Sequence, residues 1–114
     1  VLPGGLPGAD HLNADPRIRT LLQQMAAEAR YTAAICAAPK VLADAGLLDG
    51  KEATSYPGCL NKSQAILVED ADVVTDGKVV TSRGPGTAMD FALELIELLL
   101  GAEKREQVEE PLVR

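Results

Sequence analysis

The sequence predicts an α/β domain built on a mostly parallel sheet with helices on both faces. Three observations support this fold class. A helical pattern over 16–29 precedes an apolar, β-prone run at 31–35, an alanine-rich helical stretch at 37–45 follows that run at once, and β-rich segments at 73–81 lead into a helical pattern at 88–99. Alternation of strands with helices is typical of α/β domains. Because the 114 residues contain no repeat and no linker-like composition, residues 1–114 are predicted to belong to one domain.

The composition excludes several classes of function. Apolar residues make up 46% of the chain, but it contains only two Tyr and one Phe, which predicts an aliphatic core. The net charge of −6 argues against a nucleic-acid-binding surface, and no apolar run reaches the ~20 residues of a membrane span. Since no signal peptide is visible, we expect a cytoplasmic protein without membrane contact. Cys36 and Cys59 fit neither a zinc pattern nor a Cys-x-x-Cys pair, so both are predicted to be free thiols, and no metal or cofactor is expected.

The chain opens on residues typical of the end of a strand, Val1-Leu2-Pro3. The glycines at 4, 5 and 8 follow, and glycine allows a sharp turn and a close approach to a ligand. His11 is predicted to lie in a polar loop after these glycines, as a surface residue without a catalytic role.

The first helix is predicted to begin at Asp15 and Pro16, which provide an N-cap and a proline at the first helical position. Apolar residues then recur at helical spacing and predict a face that covers one side of the sheet, with Met25 in the core. This face comprises Ile18, Leu21, Leu22, Met25, Ala26 and Ala29.

The next segments are an apolar strand, a helix and a short second strand. The helix after Cys36 carries Val41, Leu42 and Ala45 on its apolar stripe and is predicted to end at Gly46. A short strand at 52–55 then leads into a loop at 56–58.

A hairpin and a long helix complete the predicted domain. Asp76-Gly77 between two β-rich runs is the strongest short hairpin signal. The turn at 84–87 opens a helix that is predicted to stop at Gly101, and residues 103–110 are predicted to form a solvated, charged helical face. The predicted buried residues of the long helix are Ala88, Phe91, Ala92, Leu95, Ile96 and Leu99.

Cys36 is the strongest candidate for a catalytic residue. It lies between the apolar run and the helical stretch. A nucleophile elbow has the same order: a strand passes into a helix through a strained turn, and the nucleophile is at the apex of that turn. In that position the amides at the start of the helix favour the thiolate, which is the nucleophilic form. The alternative is a buried cysteine that packs as a small hydrophobic residue, and spacing alone leaves both readings open.

Three motifs follow in order: Leu2-Pro3-Gly4-Gly5, Ala33-Ala34-Ile35-Cys36-Ala37-Ala38-Pro39 and Thr81-Ser82-Arg83-Gly84-Pro85-Gly86-Thr87. With Gly46-Leu47-Leu48-Asp49-Gly50 and Phe91-Ala92-Leu93 between and after them, they extend over nearly the whole chain. Together they resemble the ThiJ/PfpI superfamily, in the branch of the Parkinson-linked protein deglycase. The resemblance implies a flavodoxin-like (Rossmann-type) sheet, of which this chain is the C-terminal portion, with the N-terminal strands absent from it.

The resemblance also implies roles for individual residues. Cys36 would be the catalytic nucleophile, and the amides of Gly5 and Ala37 would stabilise an oxyanion. Gly4, Tyr56 and Arg83 are the candidate substrate-binding residues; for Arg83 a structural salt bridge is the alternative. The chain departs from the family pattern at Tyr56, where the human-type member carries a histidine. This difference weakens the case for a catalytic Cys-His pair.

The function implied is a cofactor-independent glyoxalase or protein deglycase, acting on small reactive carbonyls or on glycated proteins. The alternative is a stress-responsive redox sensor or chaperone in which the same cysteine is oxidised to sulfinic acid. A structural member without activity is a third reading. The resemblance further implies a homodimer and a glutamate that lies N-terminal to this chain. We therefore expect that glutamate on a companion polypeptide of about 50–70 residues.

Overall fold

A computed structural model describes all residues from Val1 to Arg114. Its strands form a three-stranded sheet and a separate two-stranded sheet. The helices are α1 (Gly8–Ala14), α2 (Pro16–Ala27), α3 (Pro39–Asp44), α4 (Ala88–Leu100) and α5 (Ala102–Glu109), with 3-10 turns at Pro85–Thr87 and Glu110–Leu112. The strands are β1 (Thr32–Ile35), β2 (Glu52–Ala53), β3 (Ile66–Leu67), β4 (Val73–Asp76) and β5 (Val79–Ser82).

The sheet is mostly parallel, as predicted. β1 pairs in parallel with β5, β2 pairs in parallel with β3, and Leu2 bridges Ala34 in parallel on the other side of β1. Only β4 and β5 are antiparallel, and they form the predicted hairpin around Gly77, whose φ is +61°. Ile35 and Ser82 are register partners at the carboxyl ends of β1 and β5, so the segments that follow them leave the sheet at the same edge.

Helices cover both faces of the sheet. Successive residues of a strand point to opposite faces, so neighbouring residues of β1 pack against different helices. Ala34 of β1 belongs to a cluster of 14 buried residues that includes Leu22 of α2 and Leu42 of α3. Its neighbour Ala33 packs in a second cluster with Val80 and with Phe91 of α4. The prediction of helices on both faces is therefore confirmed.

The segment around His11 differs from the predicted loop. The segment around His11 is a helix, α1, because buried Ala9 anchors it in the larger cluster and Asn13 donates a hydrogen bond to Asp44 of α3. His11 itself is exposed, as expected.

The predicted cap of α2 is confirmed, since the Asp15 side chain accepts a hydrogen bond from the main-chain N–H of Arg17. The predicted buried face of α2 is wrong in part, because only Leu22 is fully buried. Leu21 is exposed and Met25 half-buried, and both line an open apolar groove of about 290 Å³ beside Leu2.

The α4 helix begins where the sequence predicts, but its buried face is different. Phe91 and Leu93 are its buried residues, whereas Ala88, Ala92 and Leu99 of the predicted face are exposed. The reason is that α4 packs both on the sheet, through Phe91, and on α5, whose Arg105 pairs with acidic residues of α4. These two contacts turn the side bearing Ala92 and Leu99 toward solvent.

The remaining segments follow the prediction more closely. α5 has no fully buried residue, and most of its charged residues are exposed as expected, whereas Arg105 is half-buried against α4. The short strand predicted at 52–55 spans Glu52–Ala53, and its partner β3 was not predicted. None of the helices combines the length and the apolar character needed to cross a membrane.

Candidate active site

Cys36 occupies a left-handed turn directly after β1, with φ of +65°. This conformation costs a non-glycine residue about 1–2 kcal/mol. Hydrogen bonds hold the residue there: its N–H donates to Ser82 O at 3.0 Å, and its carbonyl accepts from the Tyr56 N–H at 2.9 Å. The strand, strained turn and helix of a nucleophile elbow are therefore present, and the thiol is half-buried rather than enclosed in the core.

The helix after Cys36 begins later than predicted. Residues 37 and 38 form a turn in which the Ala38 N–H donates to Ile35 O at 3.1 Å, and α3 starts only at Pro39, which has no N–H. Since α3 has six residues, the helix dipole contributes less at Cys36 than the sequence suggested.

Two residues next to Cys36, one along the chain and one in the cavity lining, have unpaired main-chain donors. The N–H groups of Gly5 and Ala37 donate to no acceptor within the protein, unlike the neighbouring Ala38 N–H. Gly5 has φ of +89°, a conformation that glycine adopts without strain. Two unpaired amides close to a nucleophile can stabilise negative charge that develops on a substrate oxygen.

Gly4 is packed against Cys36. A Cβ placed on Gly4 would lie 2.5 Å from Cys36 Cβ, 3.0 Å from Ile35 O and 3.4 Å from Cys36 Sγ. The close approach follows from the parallel bridge between Leu2 and Ala34, because this bridge places Gly4 directly beside Cys36. Only glycine fits at this position without a shift of the neighbouring atoms.

An open cavity of about 240 Å³ adjoins the thiol. None of the residues that line it is charged, and three of them are glycines. They are Gly4, Gly5, Ile35, Cys36, Gly84, Pro85 and Ala88. The structure thus brings Gly4, Gly5 and Cys36 together at one cavity, whereas Ala37 is buried and does not belong to its lining.

Arg83 does not point into this cavity. Its guanidinium donates a hydrogen bond to the main-chain carbonyl of Glu69, and it forms no ion pair in the structure. The salt bridge considered as the alternative role is therefore absent, and binding of a substrate carboxylate by Arg83 stays a prediction.

Tyr56 lies next to the cavity rather than in its lining. Besides the main-chain bond to Cys36, its ring lies close to Gly84: a Cβ on Gly84 would be 3.4 Å from Tyr56 Cδ2. Half of the residue is exposed. Cys59 follows in the same loop, where its N–H donates to Tyr56 O at 3.0 Å and its side chain packs on the larger core cluster.

Thr87 organises the second wall of the cavity and was missed in the sequence. Its hydroxyl accepts from the main-chain N–H of Arg83 (3.2 Å) and of Gly84 (3.0 Å), and it shares a hydrogen bond with the Ser82 hydroxyl (2.7 Å). Ser82 in turn donates to Asp72 O at 2.6 Å. A Thr just before a helix is a recognisable signal, since such hydroxyls bond nearby main-chain N–H groups.

Comparison with known proteins agrees with this geometry. Residues 1–98 match the DJ-1/PfpI family. The Parkinson disease protein 7 homolog of Danio rerio is 41% identical over an alignment of 116 positions that covers 99% of this chain and 61% of that protein.

Two solved structures have the same fold. The crystal structure of Drosophila melanogaster DJ-1beta matches with a TM-score of 0.91 and 42% identity over 96% of this chain and 60% of that one. An oxidized DJ-1 from Toxoplasma gondii matches with a TM-score of 0.86 and 34% identity, again over 96% of this chain and 60% of that one.

The chain therefore spans about three fifths of the length of these relatives. The flavodoxin-like α/β fold class is confirmed by the structural matches, although the chain holds only part of that fold. From the family match over residues 1–98, the three shared motifs and the geometry around Cys36, the chain belongs to the DJ-1/PfpI family.

Proposed function

We propose that the protein containing this chain is a cysteine-dependent glyoxalase and protein deglycase that acts on methylglyoxal-type carbonyls and early glycation adducts. The observation that carries the proposal is the position of Cys36, at a strained turn on a cavity with unpaired amides beside it. Membership of the DJ-1/PfpI family supports the same chemistry.

In the proposed reaction the Cys36 thiolate attacks the aldehyde carbon of an oxoaldehyde. A carbon–sulfur bond forms while the carbonyl electron pair moves onto oxygen, and the N–H groups of Gly5 and Ala37 stabilise this oxyanion. A carboxylate then takes the proton from this carbon and returns it to the adjacent carbonyl carbon, whose oxygen takes a proton from water, and a thioester with a neighbouring hydroxyl group is left. Water hydrolyses the thioester, so that one oxoaldehyde and one water yield one hydroxy acid and free Cys36.

The proton carrier in this proposal is a glutamate outside the present chain, since no carboxylate lines the cavity. We propose that it lies on an N-terminal companion polypeptide and that the assembly is a cytoplasmic homodimer. The family resemblance supports this composition. Intact mass spectrometry of the native material under denaturing conditions tests for the second peptide, and light scattering tests for the dimer.

A redox sensor is the second candidate function. It is favoured by the accessible position of Cys36 and by the Toxoplasma gondii relative, which is an oxidized DJ-1. Hydrogen peroxide would convert the thiolate to sulfenic acid with release of hydroxide, and a second peroxide would give sulfinic acid with release of water.

Turnover of methylglyoxal separates the two candidates. The assay follows hydroxy-acid formation by the complete protein and compares Cys36→Ala with Cys59→Ala, a matched change at the other thiol. We expect Cys36→Ala to abolish turnover and Cys59→Ala to retain it. Wild-type turnover in Cys36→Ala would refute the mechanism, whereas peroxide-dependent modification of Cys36 without any turnover would support the sensor.

A further inference from the structure

Tyr56 is a large aromatic residue beside the Cys36 cavity that the reaction above does not use. Its main-chain N–H donates to Cys36 O at 2.9 Å, which fixes its backbone next to the nucleophile. The residue is 50% exposed. Its hydroxyl makes no hydrogen bond within the protein, so no polar contact inside the chain accounts for the ring's position.

The ring lies beside Gly84, one of the residues that line the cavity, without itself belonging to the lining. A Cβ on Gly84 would be 3.4 Å from Tyr56 Cδ2 and 3.9 Å from Tyr56 Cε2, and Gly84 itself lines the cavity. The backbone of Gly84 is extended, with φ of 172°, so this position does not need glycine for its conformation. The missing side chain leaves room for the aromatic ring next to Gly84.

The rest of the cavity recognises a substrate by shape and apolar contact. Apart from Cys36, the only side chains on its walls are those of Ile35, Pro85 and Ala88, and the other lining residues are glycines. Arg83, the nearest cation along the chain, is bound to a main-chain carbonyl. The volume of about 240 Å³ exceeds the ~150 Å³ of an apolar protein cavity that holds benzene. A phenyl-sized group therefore fits beside the thiol.

We propose that Tyr56 is a substrate-binding residue that selects uncharged carbonyl compounds with an aromatic substituent over those with a methyl group. This inference rests on the proposed function, because the substituent is that of the carbonyl substrate. Contact between an offset or edge-to-face pair of rings is worth a factor of about 2 to 13 in binding. Tyr56→Ala should remove this factor for an aryl substrate and leave a methyl substrate almost unaffected.

The test uses two neutral α-bromoketones, phenacyl bromide and bromoacetone, which differ as phenyl from methyl. Each alkylates a thiolate with loss of bromide, and peptide mass spectrometry of the complete protein gives the rate at Cys36, with Cys59 as an internal reference. We expect the aryl-to-methyl rate ratio at Cys36 to fall about 2- to 13-fold in Tyr56→Ala. Tyr56→Phe, which keeps the ring, should retain the ratio, and Tyr56→Leu repeats the test should the alanine variant fold poorly.

An unchanged ratio in Tyr56→Ala and Tyr56→Leu would overturn the inference, as would an equal fall in both rates, which would indicate a positioning effect on Cys36. Turnover of phenylglyoxal and methylglyoxal is measured on the same samples. If neither is turned over by the wild-type protein while the alkylation ratio still depends on Tyr56, the glyoxalase proposal fails and aryl selection at the site stands.

Discussion

Replacing Gly4 with alanine should displace Cys36. The new Cβ would lie 2.5 Å from Cys36 Cβ and 3.0 Å from Ile35 O, whereas carbon atoms pack best at about 3.5–4.0 Å. Either the segment at Gly4 or the segment at Cys36 must therefore move by about 1 Å. Cys36 is held by hydrogen bonds at both its N–H and its carbonyl, so the movement strains the end of β1. Overpacking of this kind lowers the free energy of unfolding by about 1–3 kcal/mol.

Urea unfolding and the rate of Cys36 alkylation by iodoacetamide measure the two consequences of Gly4→Ala, with Cys59 as the internal reference. Gly8→Ala is the matched control, because a Cβ at Gly8 meets no atom within 4 Å and the position has no positive φ. We expect Gly8→Ala to change stability by less than about 1 kcal/mol and to leave Cys36 reactivity unchanged. A Gly4→Ala variant as stable and as reactive as Gly8→Ala would refute the close contact between Gly4 and Cys36.

Three further predictions concern the scaffold around the site. Thr87→Val should lower the free energy of unfolding by about 1–3 kcal/mol in urea, because it leaves two main-chain N–H groups without their acceptor, and Thr87→Ser should restore most of the loss. Leu42→Ala should cost about 2–5 kcal/mol in the same assay, while Leu21→Ala, at an exposed site, should cost under about 0.5 kcal/mol; equal losses would contradict the observed core. Hydrogen bonds from Arg17 lower the pKa of Asp15 from 3.8 to about 2. The ionised Asp15 carboxylate therefore stabilises the folded state fully above pH 3.8, and this contribution to the free energy of unfolding is lost as the pH falls through about 2. Thermal unfolding of Asp15→Asn should lack this part of the acid dependence, and an unchanged pH profile would contradict it.

The features that the sequence predicted correctly depend on neighbouring residues. Asp15 caps α2 through a bond to Arg17, two residues away, and the hairpin turns at Gly77, which adopts a positive φ at no steric cost. The elbow at Cys36 is local in the same sense, because it needs a strand and a helix on either side of one residue. Such features are specified by a few adjacent side chains.

The features that were wrong or missed depend on contacts distant in sequence. Whether Ala92 or Leu93 of α4 is buried is decided by where α5 and the sheet pack, and an apolar pattern alone does not specify that. The pairing of β2 with β3 joins two-residue strands that are too short to carry a periodic signal. At the site, the bond between Arg83 and the carbonyl of Glu69 has no sequence pattern, since a carbonyl is present at every residue.

The cavity beside Cys36 is bounded largely by main chain, and this restricts how its selectivity can evolve. Gly4 tolerates no added carbon, and Gly5 has a positive φ that disfavours a side chain, so changes at either position damage the site before they alter its preference. Within this chain, variation in ligand choice is left to the few positions with side chains at or beside the cavity, namely Ile35, Tyr56, Pro85 and Ala88. New specificities within this scaffold should therefore arise mainly by substitution at those four residues, with the reactive thiol and its amides left unchanged.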